Sequence, residues 1–317
     1  MRTWSKAASP ILVAALAVSL SGCTQLGVLK ARKAFKEANA FYTQQEYKRA
    51  AEKYEEAIAN DPNLVDAYFF LANSYDNLYK PSRRGEKDND QNLQKAVEQY
   101  KVAAERSKDL KMKRLALEYL VASYGADKLN DPAQAIPVVE QMIKLEPNET
   151  TNYFALARIF EDMGEYEKAE QELVKAREAK PNDSGVYMQL AGFYNRQGQF
   201  DKTIEALTER SRREPTNPEA FYTIATYYWD KAYRDFTLKE PEKKVFVSRG
   251  IEAIDKAISI KADYMEALVY KNLLLRSQAL LEKDPKVQQN LLKQADQLRD
   301  RAQELRKQKA AGVGSGQ

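Results

Sequence analysis

The sequence predicts an all-α solenoid of about seven antiparallel helix pairs, and three observations carry this. Pro147, Pro181 and Pro215 each stand 34 residues after the last, and a fixed period of that size marks a repeat architecture. Between the prolines, Tyr153, Leu156, Ala157 and Phe160 recur one period later as Tyr187, Leu190, Ala191 and Tyr194, a spacing that puts all four on one helix face. Small residues recur too: Ala38, Ala72, Ala157, Ala191 and Ala225 in first helices, and Ala50, Ala96, Ala135 and Ala169 in second helices. They allow close backbone approach, while large residues beside them fill the remaining space. One pair cannot bury its own apolar face, so the pairs must stack.

With each proline counted as position 32, the unit from Thr150 places Tyr153, Leu156, Ala157 and Phe160 at positions 4, 7, 8 and 11, followed by Gly164, Tyr166, Ala169, Leu173 and Ala176. The unit from Ser184 repeats this with Gly198, Phe200 and Leu207, and the unit from Ala31 with Phe41, Tyr47, Tyr54, Ala57 and Pro62. Gly164 and Gly198 supply the left-handed residue that ends a first helix, and the prolines stop the second. These residues resemble the tetratricopeptide repeat (TPR), which implies a TPR solenoid wound as a right-handed superhelix. The units expected are about 31–64, 65–110, 114–148, 150–183, 184–217, 218–264 and 265–308. The second carries an insertion at about 80–91, charged and expected to be mobile, and the sixth one at about 231–245. The third is degenerate, with Pro137 near the start of its second helix. The seventh has Lys271 and Asn272 at positions 7 and 8, as terminal repeats often do, and its long second helix after Pro285 reads as a cap. Residues 309–317 read as a flexible tail.

The chain start decides where the repeats work. Met1–Lys6 is basic, Ile11–Leu20 is apolar, and small residues follow, which is the three-part pattern of a signal peptide over 1–22. The apolar run is too short to span a bilayer. Leu20, Ser21, Gly22 and Cys23 resemble the lipobox of bacterial lipoproteins. That resemblance implies lipidation of Cys23, cleavage before it, and a short tether over 23–30. Thr24 in place of an aspartate implies outer-membrane delivery in such proteins, with the solenoid facing the periplasm. The formal charge of +4 falls to about +2 once Arg2 and Lys6 leave with the leader. Such a balance points to neither nucleic acid nor a polybasic membrane patch. A single cysteine excludes an internal disulfide.

There is no histidine, hence no Ser-His-Asp triad and no histidine metal ligand. The carboxylate pairs Glu161-Asp162 and Glu55-Glu56 lie on helices where adjacent residues diverge, so no enzyme activity, metal, cofactor or small-molecule substrate is expected. Binding is what remains. The family lines a concave groove with positions 2, 5, 9 and 12 of first helices. Carried over, this gives Phe35, Asn39 and Tyr42, then Phe69 and Asn73, then Phe154 and Arg158, then Met188 and Asn195, and last Tyr222 and Trp229. Rings offer apolar anchors, and asparagine amides can bond a peptide backbone. The alternative is that position 5 packs between neighbouring first helices. The family's carboxylate clamp needs a lysine at position 5, where this chain has Phe35 and Phe69, so that mode is excluded. The chain is thus similar to TPR lipoproteins that serve as pilotins for secretins or as accessories of β-barrel assembly. The expected partner is an envelope protein or extended peptide segment, met by a lipid-anchored, protein-binding scaffold. An adaptor delivering substrates to a periplasmic protease or cell-wall enzyme is the other expectation.

Overall fold

The computed structural model describes the backbone of residues 10–312 and the side chains from Gln25 to Gly312. The expectations for Leu20, Ser21, Gly22 and Cys23 therefore lie outside the described side chains, and 1–9 and 313–317 lie outside the described residues altogether. Among the described residues there are fourteen α-helices and no strand. They fall into two compact units, Met1–Pro147 and Asn148–Gln317.

The first unit holds α1 (Pro10–Thr43), α2 (Tyr47–Asn60), α3 (Val65–Leu78), α4 (Lys87–Arg106), α5 (Leu110–Ser123) and α6 (Pro132–Leu145). The second holds α7 (Thr150–Asp162), α8 (Tyr166–Ala179), α9 (Ser184–Arg196), α10 (Phe200–Arg213), α11 (Pro218–Arg234), α12 (Glu240–Ile260), α13 (Met265–Leu280) and α14 (Pro285–Ala310). Helices pair in sequence within each unit. The nine alanines expected at the crossings are all buried, none more than 4% exposed, which is what lets the paired backbones close up. Gly164 and Gly198 have φ of +77° and +70° and end their first helices as predicted. In the first pair Gln45 takes the same left-handed place at φ +62°, where a side chain is a strain that glycine avoids.

Two expectations are corrected. Residues 24–30 are not an extended tether but part of α1. Gly27 there lies so close to α2 that a Cβ on it would sit 2.9 Å from the Asn60 carbonyl oxygen, and Ala31, Ala34 and Ala38 continue that buried stripe. The insertion at 80–91 is ordered. It makes a short 3₁₀ turn over Pro81–Arg83 and then the first turn of α4. Asn89 is buried, accepts a hydrogen bond from the Lys80 amide at 2.8 Å, and donates to the Lys80 and Arg83 carbonyls, both at 3.1 Å. Arg84 reaches across to the carbonyls of Ala126 and Lys128. Asn89→Ala is thus expected to cost about 1–3 kcal/mol, because it removes three hydrogen bonds that a buried amide makes to the backbone of the insertion. Urea unfolding checks this, and an unchanged midpoint would mean the insertion is independent of the helices.

The second insertion lengthens α11 and α12, which run on to Arg234 and start at Glu240. The terminal α14 packs on α13, burying Ala295 and Ala302.

Candidate functional site: the face of the first helices

In the first unit the residues expected to face a ligand are occupied by one another. Phe35 on α1 meets Tyr54 of α2 and Phe70 of α3 at ring distances of 5.6 and 6.1 Å. Asn39 accepts a 2.6 Å bond from the Tyr54 hydroxyl, and Tyr42 donates to the Asn73 side-chain oxygen. Asn73 is itself buried, donates to the Tyr100 hydroxyl at 3.3 Å and accepts from Asn77 at 2.8 Å. Burial pushes the Tyr54 and Tyr100 phenols well above their ordinary pKa, so both stay neutral hydroxyls. Phe69 is only 4% exposed, with Tyr100 and Tyr119 at 5.8 and 5.5 Å. These contacts place Phe69 and Asn73 in the core, and the Asn39 and Asn73 amides serve the fold. Sequence reasoning left position 5 open between the two roles; here it packs.

The second unit differs along its length. Phe154 is half-buried on α7, and Arg158 is exposed and paired with Asp162 at 3.1 Å. Arg196 of α9 grips Glu161 of α7 through two bonds of 2.7 and 2.9 Å, which hold the Glu161 carboxyl below its ordinary pKa. Met188 is half-buried, with its sulfur 3.0 Å from the Arg210 guanidinium, and Asn195 is exposed. The carboxylate pairs set aside as catalytic are likewise in use, with Glu55 accepting from Tyr75 at 2.5 Å and Glu56 from Lys53 at 2.6 Å. Among the described residues, no group of acids, histidines or cysteines could hold a metal ion.

Aromatics gather on α11 and α13. Tyr222 and Trp229, two turns apart on α11, meet Tyr270 of α13 edge-on at 5.3 and 5.5 Å. Tyr264 packs on Tyr222 at 5.3 Å. Tyr233 stacks flat on Trp229 at 4.9 Å and 9° and is 62% exposed. Tyr222, Trp229 and Tyr270 are half-buried, and the Tyr222 phenol is pushed up to about 12, chiefly by burial and then by its tyrosine neighbours. Offset and edge-on rings of this kind form a firm apolar surface with hydroxyls at its rim.

Tyr270 was not singled out from the sequence, yet a signal for it exists. It stands at position 6 of its unit and is held between positions 5 and 12 of the preceding first helix. Phe70 stands at position 6 between Phe35 and Tyr42 in the same way, with ring distances of 6.1 and 5.9 Å. The clasp joins one unit to the next, so a scan of single units passes over it.

Comparison with known proteins agrees with the repeat. Family profiles described as tetratricopeptide repeat match residues 35–110 and 128–191. Among solved structures, the C-terminal part of a TPR repeat-containing protein from Cytophaga hutchinsonii overlays at a TM-score of 0.53 and 15% identity, over 83% of this chain and 95% of that one. A TPR protein from Parabacteroides merdae gives 0.43 at 16% identity over 84% and 99%. MamA from Desulfovibrio magneticus gives 0.39 at 14% identity over 63% and 97%. The first of these supports the fold. No curated protein matches the chain. Helices that pair in sequence over buried crossing alanines, and repeat profiles that match residues 35–110 and 128–191, show that this chain carries tetratricopeptide repeats in an all-helical fold consistent with a TPR solenoid.

Proposed function

We propose that this protein is a lipid-anchored, non-catalytic scaffold of the bacterial outer membrane, holding an extended segment of another envelope protein as an assembly or stability factor. TPR proteins generally serve as scaffolds that bind peptides or proteins, and the lipobox-like Leu20-Ser21-Gly22-Cys23 supports attachment through Cys23 to a membrane whose periplasmic side the helices face. The observation that carries the reading is the Tyr222–Trp229–Tyr233–Tyr270 cluster, in which Tyr233 leaves 62% of its surface open beside a stacked tryptophan. Tryptophan and tyrosine dominate binding energy where they can be desolvated by a partner, and this pair is held in place before any partner arrives. The residues expected to bind in the first unit lack that exposure.

The test is a photo-crosslinker at Thr226, in cells, with Trp229→Phe and Tyr233→Ala combined. The crosslinked product is expected to fall by tenfold or more, since loss of a central anchor costs about 2 kcal/mol or more, while helicity and membrane attachment stay at parental levels. Undiminished crosslinking from a folded, attached variant would remove the aromatic cluster as the binding surface. Cys23→Ser run alongside tests the anchor: release from processing is expected, and an unchanged mature size would refute lipidation.

A further inference from the structure

The near-balanced net charge of the chain conceals a local excess. Between Gln25 and Thr43 there are four basic residues, Lys30, Arg32, Lys33 and Lys36, against a single acid, Glu37. Glu37 is already bridged by Lys53 of α2 at 3.1 Å and approached by Lys33 at 3.9 Å. All four basic side chains are exposed, Lys33 to 82%. On the same part of α1, Leu26 and Leu29 are 55% and 64% exposed.

Helical geometry sorts these residues. At about 100° per residue, Leu26, Leu29, Lys33 and Lys36 form one stripe along the helix, flanked by Lys30 and Arg32. Gly27, Ala31, Ala34 and Ala38 form a stripe on the opposite side, and that is the side packed on α2. The outward stripe therefore has leucines at its N-terminal end and cations after them. Its first leucine comes three residues after Cys23, an axial rise of about 4.5 Å, and Lys36 lies thirteen residues on, about 20 Å.

We infer that this face of α1 lies on the bilayer surface, with Leu26 and Leu29 among the acyl-chain ends and Lys30, Arg32, Lys33 and Lys36 on anionic phospholipid headgroups. The inference rests on the proposed lipid anchor at Cys23 for its proximity, and on the stripe itself for its chemistry. An amphipathic face of leucines and lysines is what an interfacial helix presents, and each cation near an anionic surface strengthens attraction by about fivefold. Three net charges then favour the docked helix by roughly a hundredfold, and salt weakens the effect. Docking would also give the first pair a fixed attitude to the membrane, which a flexible tether could not.

The experiment uses the full chain with Leu29→Cys, carrying an environment-sensitive dye, in vesicles of phosphatidylcholine with or without phosphatidylglycerol and with brominated lipid as quencher. The expected result is a blue-shifted, quenched dye on the phosphatidylglycerol vesicles, reversed by high salt and by Lys30, Arg32, Lys33 and Lys36→Gln together. A dye at Val245, 49% exposed on α12, should not respond. A Leu29 dye that behaves like the Val245 dye overturns the inference. So does a dye that is shielded in intact envelopes but not on vesicles of the same lipids, because a protein then covers the face. Failure of the anchor reads out separately, as a second dye on a free Cys23 thiol. In that event the comparison of the two lipids is made with Cys23→Ser and Leu29→Cys combined, and the same difference between vesicles decides the face.

Discussion

Replacing Phe69 with alanine is expected to destabilise the first unit by about 3–5 kcal/mol, the range for truncating a buried phenylalanine. The ring is 4% exposed and lies against Phe70, Tyr100 and Tyr119, so removal leaves a hole that three other rings must collapse to fill. The same change at Tyr233, 62% exposed, should move stability by no more than about 0.5 kcal/mol, as surface changes do. Urea unfolding of the two variants side by side separates core from surface among residues that look alike in sequence. If Phe69→Ala unfolds with the parent, Phe69 is not the core residue described above.

Gly250→Leu is the second large effect. Gly250 occupies the small-residue place of α12, where a Cβ would come within 2.7 Å of a Leu274 methyl and 3.3 Å of the Tyr228 Cβ. Leu274 is fully buried and Tyr228 nearly so, so neither has open space to move into. A leucine is therefore expected to cost about 3 kcal/mol, the upper part of the overpacking range, and to lower the melting midpoint of the second unit. Gly250→Ala is the informative companion. It gains about 1 kcal/mol of helix propensity and meets chiefly the end of the Leu274 side chain, so the two effects should nearly cancel. A leucine variant as stable as the parent would mean that α12 does not cross α11 and α13 as closely as described.

The helix pairs were legible in the sequence because their signals are local and periodic. Pro147, Pro181 and Pro215 set the period, Gly164 and Gly198 the turns, and the alanines the crossings. What was not legible involves partners outside that period. Phe69 and Phe70 are adjacent, and nothing in the motif says which turns inward toward Tyr100 and which meets the helix before it. The segment at 80–91 reads as a solvated loop because it is charged, whereas it is held by Asn89, bonding backbone groups of Lys80 and Arg83, and by Arg84, reaching the carbonyls of Ala126 and Lys128. The stretch 24–30 follows an apolar leader and reads as a tether, whereas it is part of α1, with Gly27 set against the end of α2. Of the expected binding residues, Tyr222 and Trp229 form part of the aromatic cluster, but Tyr233 and Tyr270 complete it from the insertion and from the next repeat.

The uneven joints between first helices in the second unit have a consequence for salt dependence. Between α7 and α9 one link is the Glu161–Arg196 pair, whose glutamate side chain is 11% exposed but whose arginine is 47% exposed, so salt can weaken it. Between α11 and α13 the link is a set of interlocked rings, and close-packed groups of that kind resist displacement in every direction. The chemistry of these joints thus changes along the unit, from an ion pair that salt can weaken to rings on which salt has no such hold. Raising the ionic strength should therefore leave the aromatic surface intact while it weakens the tie between α7 and α9.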